Sequence, residues 1–305
     1  MPVSLGAIRD LLLPGIRKVE GDYKMIPTQW DKVFIKGKSE MAVERTVEMR
    51  YLGLANLKNE GGATTFDNAA GERYVYNQAH LEIGLGYAIT RKAIDDNLYE
   101  KQFNPSNLGL NNSFAQTKEI ICANVLNTAT TYNSQIGADG VALCATNHPV
   151  DGNTVANRPL TDTDLSESAL YSGLIQIRQF LNVAGLKMMA RGRKLIVPIQ
   201  LEYVAVRLCK TELRVGTADN DINALLHATN GLPEGYMVMD YLTSQYAWFM
   251  QTDFTEGGLL YLERVAYETD MQTDFVTDNL LVKGYERYSA GYDNWRGLFG
   301  SFPSS

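Results

Sequence analysis

The sequence predicts an α+β fold in which a long β-hairpin projects from a body of helices and short strands. Three observations indicate this fold. Residues 42–89 alternate between apolar and polar side chains around a glycine-bearing loop, which is typical of two paired strands. Two later segments carry apolar residues at helical spacing. Several short apolar runs after them are bounded by Gly, Pro, Asp and Thr, as strands usually are.

The composition excludes several function classes. The 305 residues are 45% apolar and 21% charged, as expected for a soluble protein with a sizeable core. With 28 basic and 35 acidic residues, the formal net charge of -7 argues against a protein that binds by neutralising nucleic-acid phosphates. No apolar run is long enough for a membrane span or a signal peptide, so we expect no membrane partner.

The chain opens on a segment without a long regular element. Residues 1–30 contain one short amphipathic patch, which is then interrupted by glycine and proline residues. The patch consists of Leu5, Ile8, Leu11 and Leu12, and the interruptions are Pro14, Gly15, Gly21 and Pro27. This pattern predicts an arm that lies on another surface.

The hairpin is predicted from two limbs, residues 42–57 and 72–89. The apolar face of the first limb carries Val43, Val47, Met49 and Tyr51, and the more polar face of the second carries Tyr74, Tyr76, Gln78, His80 and Glu82. Residues 59–65 are polar and contain two glycines, which suits a loop tip. Because an isolated hairpin is marginal in water, we expect its apolar face to dock on a neighbouring subunit.

Two helices are predicted downstream. Ser113 and Gln116 match a capping box, and the apolar stripe that follows predicts a helix over residues 113–131. A second helix is predicted to begin at Asp164 and to end at Gly185. Short strands are predicted at residues 194–197, 237–239, 247–250, 259–262 and 279–288, with a helix after Pro198.

Motifs that carry chemistry are scarce in the sequence. The three histidines form no metal-binding spacing, and the glycines at 84 and 86 lack the third glycine of a dinucleotide fingerprint. His148 is predicted to be a turn residue that bonds backbone, and Asp95 and Asp96 to lie on a solvated helix face or in an inter-subunit salt bridge. We therefore predict no catalytic, metal or cofactor site and no enzymatic activity.

The cysteines point to a reducing compartment. Cys122, Cys144 and Cys209 are odd in number and widely spaced, which matches neither a disulfide framework nor a metal knuckle. We expect all three to be buried as small hydrophobic side chains.

Six segments of the sequence follow one another in an order that is informative: Ile94–Leu98, Leu143–Cys144 with His148–Pro149, Leu170–Gly185, Arg193–Pro198, Asn220–Asn223 followed by Trp248, and Arg287–Gly297. In wording and order they resemble tailed-bacteriophage major capsid proteins of the Hong Kong ninety-seven fold, in particular the branch of Mu-like major head subunits. Each is weak alone, and their order over about two hundred residues carries the resemblance.

The resemblance implies a layout for the whole chain. Residues 1–30 would be the N-arm, 31–41 a strand of the peripheral domain, and 42–83 the extension loop. The peripheral domain would continue over 84–160 with its spine helix at 113–131. The axial domain would span 161–258, and residues 259–305 would return to the peripheral domain.

The resemblance also implies a function. Such subunits form pentamers and hexamers that close into an icosahedral shell around phage DNA, with assembly in the host bacterial cytoplasm and the virion as final location. It implies a portal protein, a decoration or cement protein and packaged double-stranded DNA bound without sequence specificity as partners. A separate scaffolding protein is expected because the arm begins near Met1.

Charged residues are predicted to set the register between subunits, because charge complementarity fixes orientation more than affinity. The candidates are Glu44, Arg45, Glu48, Arg50, Lys58, Glu72, Arg73, Asp95, Asp96, Asn220 and Asp221. Reversal of Arg50 and Arg73 to Glu is expected to impair closure of the shell while the subunit stays folded. Lys58 lies near the loop tip, but no motif supports an isopeptide cross-link there.

Three other functions remain open from the sequence. An encapsulin-like shell would share the fold and enclose a cargo enzyme instead of DNA. A tail-tube or decoration protein would rarely need a chain of this length. An α+β enzyme is disfavoured because no convergent polar motif is present.

Overall fold

The computed structural model describes residues 27–95, 99–212, 222–227, 231–254 and 257–304, without the side chains of 99–105, 226 and 227. Most of the predicted N-arm, together with Asp96, Asn220 and Asp221, lies outside the described residues. The architecture below concerns the described part of the chain.

The described chain contains twelve strands and five α-helices. The strands are β1 (Ile35–Lys38), β2 (Val43–Arg50), β3 (Gly71–Ala79), β4 (Leu81–Ile89), β5 (His148–Val150), β6 (Asn153–Val155), β7 (Gly192–Val197), β8 (Tyr236–Val238), β9 (Trp248–Thr252), β10 (Leu259–Thr273), β11 (Leu280–Tyr292) and β12 (Leu298–Ser301). The helices are α1 (Arg91–Asp95), α2 (Tyr99–Asn127), α3 (Glu167–Arg178), α4 (Glu202–Cys209) and α5 (Ala224–His227). Short 3₁₀ turns cover Trp30–Lys32, Ile199–Leu201 and Trp295–Gly297.

Two four-stranded sheets form the body. The first has the order β1-β10-β11-β4, with β1 parallel to β10 and the other pairs antiparallel. The second has the order β12-β9-β7-β8, with β7 parallel to β8. The hairpin β2-β3 and the short pair β5-β6 complete the strands, so the class is mixed α and β, as predicted.

One main hydrophobic core joins the two sheets to α2 and α3. Cys122, Ala123 and Leu126 from α2 are fully buried, as are Ile196 from β7 and Trp248 from β9. A second, smaller cluster lies between the start of the long helix and the far end of the first sheet, and it consists of Ile89, Leu110, Phe114, Met271, Leu280 and Val282. The two sheets, α2 and α3 therefore share one core, to which Tyr76 of the hairpin strand β3 also belongs.

The long helix α2 starts well before the predicted residue 113 and ends at Asn127 instead of 131. Ser113 is not a cap, because it lies inside the helix and its carbonyl accepts a hydrogen bond from Thr117 Oγ1. The helix continues through Pro105 because burial of Leu110 and Phe114 against the first sheet outweighs local helix-breaking signals.

The second predicted helix is shorter than expected at both ends. α3 begins after Ser166, whose side chain accepts a hydrogen bond from the Ala169 backbone amide and so caps the helix in place of Asp164. It ends at Arg178, and Gly185 instead lies at positive φ in the turn that follows. The strand predictions from residue 194 onward are confirmed, and β10 and β11 are longer than predicted. None of the helices in the described ranges is long and apolar enough to cross a membrane.

The predicted hairpin exists, with one correction to its second limb. The limb is not a single strand, because it breaks at His80 into β3, which pairs with β2, and β4, which joins the first sheet. Tyr76 and Gln78, predicted to lie on the more polar face of this limb, are buried against the body. The polar face of β2 also faces inward, while Val43 and Met49 are exposed.

Candidate functional site: a projecting hairpin and its polar base

The hairpin divides into a base, strands β2 and β3, and a tip, residues 51–70. Every side chain of the tip is exposed, including the large apolar ones Tyr51, Leu52, Leu54, Leu57 and Phe66. Such a concentration of exposed apolar side chains is typical of a surface that contacts another molecule.

Few contacts hold the two arms of the tip together. Asn56 Nδ2 donates to Thr65 Oγ1 at 3.1 Å, and the Gly53 amide donates to Asp67 Oδ2 at 2.8 Å. The Gly53 bond and a second one from Ala69 lower the pKa of Asp67. The turn at the end is closed by a bond from the Gly62 amide to the Asn59 carbonyl, as predicted for a loop tip. The tip is thus shaped by a few local hydrogen bonds instead of a core.

The base is fastened to the body by a buried ion pair. Arg296 Nη1 pairs with Glu48 Oε1, and the two side chains are only 2% and 8% exposed. Arg296 Nε also donates to the Leu181 carbonyl at 2.7 Å, and Asn294 Nδ2 donates to Glu48 Oε1 at 3.2 Å. Removal of one partner would leave the other charge buried and unpaired, which is costly. The pair therefore holds the base of the hairpin in place on the body.

Two further polar contacts flank the Glu48–Arg296 pair. Arg50 lies 3.0 Å from Asp151, with the side chains 22% and 32% exposed, so solvent weakens this pair. At the other end of β2, Ser39 Oγ donates to Glu44 Oε1 at 2.6 Å and lies 2.7 Å from His80 Nε2. The Ser39 bond lowers the pKa of Glu44, while burial and then Arg287 lower that of His80.

Asp293 lies beside this polar base. Its Oδ1 accepts a hydrogen bond of 2.6 Å from the Gly258 amide. Burial raises the pKa of Asp293 to about 6. The hydrogen bond from Gly258 lowers this pKa, and the negative charge of Glu48 raises it further. Asp293 is therefore the group at the hairpin base whose charge changes near neutral pH.

The structure separates the eleven predicted register-setting residues into groups. Glu48 and Arg50 contact Arg296 and Asp151 of their own chain, while Lys58 and Glu72 are exposed on the hairpin. Within the hairpin, Arg45 Nε donates a hydrogen bond to Asn77, and the guanidinium of Arg73 lies over the ring of Tyr74. Glu44 accepts a hydrogen bond from Ser39. Asp95 forms an exposed ion pair with Arg91 on α1. Asp96, Asn220 and Asp221 fall outside the described residues. A role between subunits stays a prediction for all of them.

His148 differs from its predicted role as a turn residue that bonds backbone. It starts β5, is fully buried, and its Nδ1 lies 2.6 Å from Asp139 Oδ2 and its Nε2 3.1 Å from Asn157 Oδ1. Its ring stacks on Trp295 at 4.2 Å between centroids. A histidine sealed in this way holds the C-terminal turn in place and cannot reach a substrate.

The cysteines behave as the sequence predicts. Cys122, Cys144 and Cys209 are free and buried, and burial raises the pKa of each thiol, that of Cys209 to about 11. Within the described ranges, no group of three or more His, Cys, Asp or Glu side chains is arranged to hold a metal ion.

Sequence reasoning missed the partners at the hairpin base. Asp151, Asp293, Asn294 and Arg296 are far from β2 along the chain, so no local period connects them to Glu48 or Arg50. Asp293, Asn294 and Arg296 do fall in one of the segments that carry the capsid resemblance, and that was the available signal.

Comparison with known proteins gives a match in fold. No protein-family model matches the sequence, and no curated protein is significantly similar to it. The procapsid of bacteriophage JBD30 matches 98% of this chain and 76% of its own at 14% identity, with a TM-score of 0.52. The capsid of cyanophage P-SCSP1u matches 93% of this chain and 90% of its own at 8% identity, with a TM-score of 0.57. The chain has the fold of phage capsid subunits.

A virus-like particle from Pyrococcus furiosus shares this capsid fold. It matches 96% of this chain and 97% of its own at 10% identity, with a TM-score of 0.53. The matches run over nearly the whole chain. At these identities the likeness concerns the fold, and function needs a separate argument.

Proposed function

We propose that this chain is the major capsid protein of a tailed bacteriophage, which self-assembles through pentamers and hexamers into an icosahedral shell around the phage genome. Its role would be structural, without catalysis, and its final location the virion. The observation that carries this proposal is the capsid fold over more than nine-tenths of the chain. The exposed apolar hairpin tip supports it, because a free subunit gains nothing from such a surface.

The tip and the base of the hairpin would have different roles in assembly. The tip would lie on a neighbouring subunit and bury its apolar side chains there, while the base keeps the hairpin at a fixed angle. Because the tip and its docking surface are different patches of one chain, the contact is heterologous and generates rings when the rotation closes. Many modest contacts of this kind make a shell stable as a whole and reversible during construction.

The predicted layout becomes a proposal in the same terms. The N-arm would span 1–30, the extension loop 42–83 and the axial domain 161–258, with the peripheral domain formed by 31–41, 84–160 and 259–305. The first sheet and α2 would then form the peripheral domain, with α2 as its spine helix. The second sheet, apart from β12, which falls within 259–305, would form most of the axial domain with α3 and α4.

The partners follow from the proposed shell. A portal protein, a separate scaffolding protein and a decoration or cement protein would act with the subunit, and assembly would take place in the host cytoplasm. The formal charge of -7 supports only non-specific contact with packaged DNA. Assignment to the branch of Mu-like head subunits depends on the shared sequence segments.

Microscopy with size-exclusion chromatography tests the proposal. We would purify the full chain, alone and together with the proteins encoded beside its gene, and examine the large fraction by negative stain. Closed polyhedral shells or rings of capsomer size are expected. A chain that stays monomeric or dimeric under every condition would refute the proposal.

The content of the shells decides between a phage head and a cargo shell. Particles from infected or induced cells should contain DNA that resists nuclease until the shell is opened. A discrete enzyme in place of DNA would identify an encapsulin-like container with the same fold.

A further inference from the structure

A pocket of about 250 Å³ lies where the hairpin base meets the body. β2 supplies one wall, the loop after α3 another, and the turn at 293–296 the floor. Its apolar walls include Met49, Val183, Met188 and Phe254, and exposed Tyr51 stands at its mouth. The pocket is therefore a slot with apolar sides that opens beside the hairpin tip.

The floor of this slot is charged and incompletely satisfied. Glu48 lines it with a side chain only 8% exposed, and its Oε2 is buried without a hydrogen-bond partner among the described residues. Asp293 lines the same floor and interacts with the charge of Glu48. Arg296 supplies one positive charge to two carboxylates, so the floor carries a net charge of about -1 when Asp293 is ionised.

Apolar walls over an anionic floor suit a side chain with an aliphatic stem and a cationic end. An ammonium group presents three donors and could bond Asp293 at the floor of the pocket. The carboxylate of Glu48, whose Oε2 is buried below the pocket surface, would attract the same cation through its charge. We propose that this pocket binds a lysine side chain presented by a second copy of the chain.

The second copy is the occupant because the mouth of the pocket is continuous with the proposed interface. Met49 and Tyr51 line the pocket, and the exposed apolar residues of the tip follow directly along the chain. This identification of the partner rests on the proposed function as a shell subunit. The chemistry of the pocket does not, so the two ideas can be tested apart.

Binding of a lysine analogue to the full-length, unassembled chain tests the pocket. Nα-acetyl-lysine methylamide should bind with a dissociation constant on the order of 1 mM by calorimetry, as expected for a small ligand with few contacts. The norleucine analogue, which has the stem but no ammonium, should bind at least about tenfold more weakly, since it leaves the carboxylates unpaired. Equal binding of both analogues, or no binding of either, would overturn the proposal.

Variants locate the site. Asp293→Asn and Glu48→Gln should each weaken binding of the lysine analogue by about tenfold or more, while Glu60→Gln at the exposed turn should leave it unchanged. Asp293→Asn keeps the Glu48–Arg296 pair, so it remains informative if Glu48→Gln misfolds. Unchanged binding to Asp293→Asn would place the site elsewhere and overturn the inference.

The pH dependence gives an independent readout. Glu48 from β2 and Arg296 from the same turn are the described charged groups that line the pocket with Asp293. Because the pKa of Asp293 is about 6, binding at about pH 5 should be about tenfold weaker than at about pH 7.5, and this difference should vanish in Asp293→Asn. Binding that is equal at both pH values would contradict the role of Asp293.

Failure of the pocket and failure of the proposed function give different results. Shells that form although the analogue does not bind would refute the pocket alone. An analogue that binds to a chain that never assembles would refute the second copy as the occupant. Shells together with specific binding would support both.

Discussion

The base and the tip of the hairpin are neighbours in sequence and opposites in their contacts. At the base, Glu48 is buried beside Arg296 and accepts from Asn294, all within one chain. At the tip, Leu54 and Leu57 are 77% and 104% exposed. The hairpin therefore contains a base that is stabilised by contacts with its own chain and a tip whose apolar side chains are exposed to solvent.

This difference separates the stability of the subunit from its association. Loss of Arg296 or Asp151 at the base should lower the free energy of unfolding, because it leaves the partner charge unpaired. Neutralisation of Asp293 should instead raise it above about pH 6, because a buried charge is removed. A change at the tip should leave that free energy almost unaltered and act on assembly alone.

Removal of the buried guanidinium should have the largest effect. Arg296→Met leaves Glu48 buried without its partner, and we expect a loss of about 3–5 kcal/mol in the free energy of unfolding. Urea denaturation of the unassembled chain measures it. Arg287→Met is the matched control, since Arg287 pairs with a largely exposed Glu82, and it should cost about 1 kcal/mol or less. Equal losses in the free energy of unfolding for the two variants would contradict a special role of the buried pair in subunit stability.

The charge of Asp293 should make the base sensitive to pH. Folding raises the pKa of Asp293 from 3.8 to about 6, so the stability this group contributes is present below about pH 4 and lost as pH rises through about 6. Asp293→Asn should therefore be more stable than the wild type by on the order of 2 kcal/mol at about pH 8, with little difference at about pH 4. Urea unfolding at both pH values tests this, and a difference that does not grow with pH would contradict the assignment.

The half-exposed pair at the edge of the base should contribute less. Asp151→Asn removes the partner of Arg50, and because solvent reaches both side chains we expect a loss of about 1 kcal/mol. The matched control is Asp95→Asn, which breaks the exposed pair on α1 and should cost about 0.5 kcal/mol or less. The structure also changes the expectation for Arg50→Glu, which would set two carboxylates against each other at the base, so Arg73→Glu is the better test of register between subunits.

Polar substitution of the tip should have the smallest effect on the subunit. The double change Leu54→Ser and Leu57→Ser should alter the free energy of unfolding by about 0.5 kcal/mol or less, because both side chains are exposed. The same double change should abolish or strongly reduce the shell fraction in size-exclusion chromatography. A loss of stability similar to that of Arg296→Met would show that the tip packs on its own chain.

Local periodicity predicted the elements that depend on neighbours along the chain. The β2 limb, the loop at Asn59–Thr65, strand β7 and the helix after Pro198 lie where period-two alternation, turn residues and a helix start indicate them. The alternation in β2 also separates an apolar face, on which Val43 and Met49 are exposed, from a polar face that carries Glu48 and Arg50. Docking of the apolar face on a neighbouring subunit stays a prediction.

Elements fixed by distant contacts could not be predicted in this way. The long helix α2 begins at Tyr99 and packs Leu110 and Phe114 on the first sheet, whereas Ser113 carries a capping signal that the structure does not use. Glu48 and Arg296 are separated by most of the chain, and an ion pair between such positions leaves no pattern in a single sequence. The capsid fold itself was recognised from the order of short segments.

A cryo-electron microscopy reconstruction of the assembled particles would show where the hairpin tip lies. We expect residues 51–70 to lie on a second copy, with Leu54 and Leu57 buried there, while Glu48 and Arg296 stay paired within each subunit. A shell in which the tip folds back on its own subunit or projects into solvent would contradict it.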